Sequence, residues 1–143
     1  MEDSLLISVV IPIFNEEGSL EILYNELTST LEKYSSWEII FVDDGSDDET
    51  LTIMQNIVKK DKRVKIITFY RNYGKSSALS EGFKLAKGKY VITIDADLQD
   101  DPKEIPNLIS KLEDGYDLVS GWKINRQDPW TKTYPSKIFN FIT

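Results

Sequence analysis

Asp95 and Asp97 stand one residue apart at the end of an apolar, largely β-branched run, Tyr90-Val91-Ile92-Thr93-Ile94. Such a run reads as a strand buried in a parallel sheet, and open α/β sheets bind ligands just beyond their strand C-termini. Carboxylates placed there suit hard divalent cations such as magnesium or manganese. Two of them held close together repel unless a cation or proton intervenes. Gln99 offers a further oxygen ligand on the same loop. An isolated Asp-x-Asp is more often a solvated loop, so this pair draws its weight from the segments around it.

Three other segments point toward the same end of a sheet. Ile11-Pro12-Ile13-Phe14-Asn15-Glu16 closes the first apolar run, with a proline, an aromatic edge and a carboxylate at the break. Val42-Asp43-Asp44-Gly45-Ser46 closes the second, and a carboxylate there can accept from the ring N–H of a pyrimidine or guanine as readily as it can cap a helix. Arg71 and Lys75 follow the third run and can reach an anion from their loop. Gly74-Lys75-Ser76 imitates the end of a phosphate-binding P-loop, but that motif needs a glycine where this chain has Phe69. No Gly-x-Gly-x-x-Gly follows the first strand, which argues against dinucleotide binding.

These residues need a frame, and the hydrophobic pattern supplies one. Strands are predicted at Leu6–Ile13, Glu38–Val42, Val64–Tyr70, Tyr90–Ile94 and Tyr116–Ser120. Leu20, Leu23, Leu27 and Leu31 recur at helical spacing between the first two. Ser46 and Glu49 have capping-box spacing, so a helix should start there and turn Leu51, Met54, Ile57 and Val58 inward. A third helix is expected over Ser76–Lys87, stopped by Gly88. In a fourth, Asp101 is the N-cap, Pro102 the first residue and Glu104 the reciprocal cap, with Ile105, Leu108, Ile109 and Leu112 buried. Strand–helix alternation with short links means an α/β fold: a mainly parallel sheet with helices on both faces and right-handed crossovers.

Composition narrows the chemistry. The chain of 143 residues contains no cysteine and no histidine, which removes disulfides, thiolate nucleophiles, Ser-His-Asp triads and histidine-bound zinc. A net charge of −7 argues against nucleic acid as a partner. It is compatible with a small anionic ligand where a bound divalent metal reverses the local sign. No signal peptide and no run near the ~20 apolar residues of a membrane span is visible. After Gly121, Lys123, Arg126, Lys132 and Lys137 interleave with Trp122, Trp130, Tyr134 and Phe139, a pattern suited to a membrane surface or to a final packed helix. The expected organisation is a ligand-binding domain over 1–125, with 126–143 opening a membrane-proximal segment that continues in a longer protein.

Taken in order, Val10-Ile11-Pro12-x-Phe14-Asn15-Glu16, Val42-Asp43-Asp44-Gly45-Ser46, Arg71-Asn72-x-Gly74-Lys75 and Asp95-Ala96-Asp97-Leu98-Gln99-Asp100-x-Pro102 resemble the nucleotide-binding half of family 2 glycosyltransferases with the Rossmann-like GT-A fold. The last two motifs look like the polyprenyl-phosphate subgroup, which includes dolichyl-phosphate mannose synthases and bactoprenol glucosyltransferases. That resemblance implies a metal-dependent transfer of sugar, with inversion, from a UDP- or GDP-linked donor to a polyprenyl phosphate. UDP-glucose is slightly favoured as the donor. It implies that Pro12, Phe14 and Glu16 border the nucleotide and that Asp43 or Asp44 contacts the base. Asp95, Asp97 and Gln99 would hold a magnesium or manganese ion and the diphosphate, with Asp95 and Asp97 as the catalytic pair. Arg71, Lys75, Ala96 and Lys123 complete the expected nucleotide contacts. It also implies work at the cytoplasmic face of a membrane; separately, the apolar face of the terminal segment should favour self-association or membrane-surface binding. Phe14 replaces a frequent tyrosine, keeping a stacking face without its hydroxyl. Lys123 stands where an arginine is common, so a bidentate phosphate clamp becomes a point charge. Extension of a polysaccharide or glycan is the alternative activity, and a binding-only nucleotide module the alternative class.

Overall fold

The computed structural model describes residues 5–115. Four parallel strands, β1 (Ile7–Ile13), β2 (Trp37–Asp43), β3 (Val64–Thr68) and β4 (Tyr90–Thr93), lie in the order β3-β2-β1-β4. They alternate with α1 (Leu20–Leu31), α2 (Thr50–Lys60) and α3 (Lys75–Leu85), and a short 3-10 turn at Pro102–Glu104 leads into α4 (Ile105–Glu113). The α/β frame and the parallel sheet agree with the hydrophobic pattern. The predicted fifth strand at Tyr116–Ser120 lies outside the described residues, as do Lys123 and the basic, aromatic segment.

Residue parity sorts the strands into two cores, because successive side chains of a strand face opposite sides. Ile7, Val9, Ile11 and Ile13 of β1, with Ile39 and Phe41 of β2, pack against the leucines of α1, Met54 and Ile57 of α2, and Ile105 and Ile109 of α4. Val10, Ile40 and Val42 face the other way, onto Ala78 and Leu79 of α3. Gly82 allows α3 to sit this close, since a Cβ there would collide with the Val10 side chain.

The sheet order places β1 between β2 and β4: the chain runs outward from β1 to β3 and returns through α3 to β4 on the far side of β1, and the sheet parts at the C-terminal ends of β1 and β4. Pairing of β1 with β2 runs to Ile13↔Asp43, whereas pairing with β4 stops at Val10↔Thr93. Pro12 falls in that gap. It shares parity with Val10, whose carbonyl accepts from Ile94 N, so its missing N–H faces the side where no partner strand continues. A proline inside a paired strand costs a ladder bond; here it costs none.

The opposite end of the sheet is tied by buried charge. Glu38 accepts from the Ser8 hydroxyl, from Lys65 Nζ at 2.8 Å and from Lys87 N at 2.9 Å. Burial pushes its carboxyl up, but these donors outweigh burial and hold it below the usual range. Asp61 accepts from Arg63 Nε at 2.9 Å and from the Tyr24 hydroxyl at 2.7 Å. The Arg63 guanidinium is the main reason its pKa falls to about 2. Arg63 also lies 3.8 Å from the centre of the Trp37 ring.

Several element ends differ from the sequence reading. The capping box at Ser46 and Glu49 does not form: α2 starts at Thr50, and the Ser46 hydroxyl accepts from Asn15 N at 2.8 Å instead. Met54 and Ile57 are buried as expected, while Leu51 and Val58 are only partly covered. β3 stops at Thr68; α3 stops at Leu85, because Lys87 N and Gly88 N donate instead to Glu38 of β2 and to the Ser8 hydroxyl of β1 just before β4. Asp101 caps Lys103 N as predicted, but the Glu104 carboxylate accepts from Asn107 rather than reaching back.

Candidate functional site

Four loops meet where β1 and β4 part. The first follows β1. Asn15 adopts φ +52°, a left-handed conformation that asparagine tolerates, and its amide oxygen accepts from Asp47 N at 2.9 Å. Glu16 N donates to the Thr50 hydroxyl at 2.9 Å. These bonds stitch the first loop to the second and leave the Phe14 ring half-exposed at the rim.

In the second loop the two neighbouring aspartates do different work. Asp43 is buried and accepts from Ser46 N at 3.1 Å, closing its own turn. Asp44 accepts from Tyr73 N at 2.7 Å and from Gly74 N at 3.0 Å, tying the third loop to the second. Gly45, at φ +76°, lets the two loops touch, since a Cβ there would strike the Arg71 backbone. The anchored turn launches Lys75 as the first residue of α3, and its Nζ pairs with Asp95 Oδ1 at 2.6 Å. Arg71 instead lies 5.1 Å from the centre of the Tyr73 ring.

The fourth loop is shaped by its own carboxylates. Asp95 N donates to Asp100 Oδ2 at 2.8 Å, and Asp97 Oδ1 accepts from Gln99 N at 3.1 Å around Leu98, which sits at φ +66°. The Ser19 hydroxyl lies 2.7 Å from the Ala96 carbonyl and 2.8 Å from Glu16 Oε2, bridging the fourth loop to the first.

Together the loops border an open cleft of about 440 Å³, within the volume range of small-ligand sites. Of the residues singled out in the sequence, Pro12, Phe14, Glu16, Asp44, Lys75, Asp95, Ala96 and Asp97 line it. Asp43, Arg71 and Gln99 are not among the lining residues: Asp43 is buried behind Asp44, and Arg71 and Gln99 are turned to the surface. Lys123 is outside the described residues. Asn72, which sequence reasoning quoted only inside a motif, also lines the cleft. Ser19 and Asp100 were missed; the signal for Asp100 was its place in Asp95-x-Asp97-x-x-Asp100, while Ser19 carried none.

Four carboxylates and one ammonium line the cleft among the described residues. An anion entering it would meet a negative wall, which a compensating cation would offset. No group of three or more Asp or Glu side chains is arranged to hold a metal among the described residues. Asp95 and Asp97 still fit one, because magnesium-type cations are commonly held by one or two carboxylates with ligand phosphates filling the remaining positions. Asp95 already carries a cation, in the form of the Lys75 ammonium. No helix of the described residues is long and apolar enough to cross a membrane.

The undecaprenyl-phosphate 4-deoxy-4-formamido-L-arabinose transferase of Aeromonas hydrophila is 43% identical over 141 residues, covering 96% of this chain and 43% of that protein. The chain thus spans about two fifths of the length of the curated relatives it matches. The crystal structure of S. aureus TarS with UDP-GlcNAc superposes with a TM-score of 0.68 at 25% identity, over 87% of this chain and 37% of that one. The Pyrobaculum calidifontis mannosyltransferase PcManGT, in complex with GDP-Man and Mn2+, gives 0.68 at 21% identity, over 80% and 33%, a likeness of fold. Residues 8–143 match the family described as glycosyl transferase family 2, and this chain belongs to it.

Proposed function

We propose that the chain is the donor-binding part of a glycosyltransferase that moves a sugar from a nucleoside diphosphate sugar to a polyprenyl phosphate. The carrying observation is the cleft where β1 and β4 part, with Pro12 and Phe14 on one wall and Asp95 and Asp97 on the other. The acceptor class rests on the relatives' names, which specify undecaprenyl phosphate. Those relatives are named for 4-deoxy-4-formamido-L-arabinose, so glucose has no special claim as the sugar, and the donor is a UDP- or GDP-linked sugar.

Each residue then has a task. Phe14 offers its exposed face to the base. Asp44 accepts the base N–H on lone pairs left by its two backbone bonds, since each carboxylate oxygen has more than one. Asp43 shapes the turn behind it. Asp95 and Asp97 would hold a magnesium or manganese ion, which when bound would supply positive charge against the diphosphate leaving group. The bond from the anomeric carbon to the diphosphate oxygen breaks as an oxygen of the lipid phosphate bonds to that carbon from the opposite face. The nucleoside diphosphate departs with the electron pair. A phosphate acceptor is already anionic and needs no general base, which suits a chain without histidine. Residues 126–143 would open the acceptor- and membrane-proximal part, at the cytoplasmic face of a membrane.

The test is transfer of radiolabel from a nucleotide sugar to a short polyprenyl phosphate, by a chain extended past Thr143 and by the 143-residue chain. Label in an organic-soluble product with the extended chain, and little with the shorter one, is expected. Label only in a water-soluble glycan would reject the lipid acceptor.

A further inference from the structure

Lys75 stands out within the cleft because it is spent on a residue of the site itself. Its Nζ lies 2.6 Å from Asp95 Oδ1, with the lysine side chain 49% and the aspartate 25% exposed. The pair is therefore at the cleft mouth, where an ion pair is weak and readily exchanged. The backbone from which Lys75 projects is held in place, since Asp44 fixes the two residues before it through Tyr73 N and Gly74 N. Arg71, the other basic side chain of this loop, is engaged with the Tyr73 ring. Lys75 is the sole cation among the described residues lining the cleft, facing Glu16, Asp44, Asp95 and Asp97.

We propose that Lys75 is an exchangeable counter-ion: it neutralises Asp95 while the cleft is empty, and it turns to the diphosphate when nucleotide and divalent cation enter together. This rests on the donor-site reading and deepens it. An ammonium is a compact point charge on a flexible stem, suited to changing partners without rebuilding the site. The consequence is a coupling between ligands. Bare metal must compete with Lys75 for Asp95, whereas metal arriving with a diphosphate offers the lysine a more highly charged partner. Cation and nucleotide therefore bind together in preference to metal alone.

The two roles have opposite signs in one substitution. In Lys75→Met, Mn2+ alone should bind about fivefold tighter, the scale of a half-exposed ion pair. UDP or GDP titrated with Mn2+ should bind at least about fivefold weaker, and Lys75→Arg should return both values toward wild type. Free Mn2+ is followed by electron paramagnetic resonance, nucleotide by calorimetry, and folding by thermal melting. Unchanged, weakened or undetectable Mn2+ binding in both wild type and Lys75→Met overturns the exchange and leaves Lys75 at most a fixed phosphate contact. Failure of wild type to bind either nucleotide with Mn2+ overturns the donor-site reading, and the exchange with it.

Discussion

Replacing Asp44 by alanine should loosen the site from its frame. The carboxylate is 4% exposed and accepts backbone N–H groups from Tyr73 and Gly74, tying its two oxygens to the loop that leads into α3. Hydrogen bonds to a charged acceptor contribute about 1.5–3 kcal/mol each, and buried donors left unpaired keep most of that cost. Tyr73 is half-exposed, so its N–H can find water once the loop shifts, which removes part of the penalty. A net loss of about 2 kcal/mol follows, or a fall in Tm of roughly 4–8 °C for a domain of this size. Asp44→Asn should lose nearly as much, because its amide nitrogen faces a donor where a carboxylate oxygen accepted. Asp47→Ala, at an exposed position of the same loop, should stay within about 0.5 kcal/mol. The assay is thermal unfolding by circular dichroism without ligand. An Asp44→Ala protein melting within a degree of wild type would refute the claim that this carboxylate anchors the third loop.

Acid should weaken the fold in a defined window. Asp61 has its pKa lowered to about 2, so its stabilisation is complete above the unfolded value near 4 and is lost as pH falls from about 4 to 2. That loss is about 2 kcal/mol by urea titration, and Asp61→Asn should remove this part of the pH dependence. Gly88→Ala should cost more than about 2 kcal/mol, because its Cβ would lie 2.5 Å from Ser8 N and 2.7 Å from the Ile7 carbonyl carbon; denaturant midpoints decide this. Asp97→Ala should leave thermal stability within about 0.5 kcal/mol, since its side chain is exposed on the loop, yet abolish metal-linked nucleotide binding by calorimetry.

The frame was legible because buried parallel strands announce themselves as apolar runs, as at Ile7–Ile13 and Ile39–Val42. The position of Asp95 and Asp97 followed from the same logic, and the cleft formed where those strand ends part. Local motifs misled where a distant partner competed for the same atom. Ser46 looked like a helix cap, but Asn15, 31 residues away, takes its hydroxyl. The adjacent carboxylates Asp43 and Asp44 were indistinguishable in sequence, and only the folded third loop separates a turn-former from a cleft residue. Ser19 had no signal because its hydroxyl serves Ala96, 77 positions on, and not its own helix.

The central claim is that this cleft binds a nucleoside diphosphate through a divalent cation at Asp95 and Asp97. Calorimetric titration of the 143-residue chain with UDP and with GDP, each with Mn2+ and then with excess chelator, tests it most directly. A unit charge pair at about 4 Å and an effective dielectric near 20 is worth about 4 kcal/mol, so the cation should decide whether an anion binds at all. Saturable binding of one nucleotide that collapses on chelation is the predicted result. Equal affinity with and without the chelator, or no binding of either nucleotide with Mn2+, would contradict it.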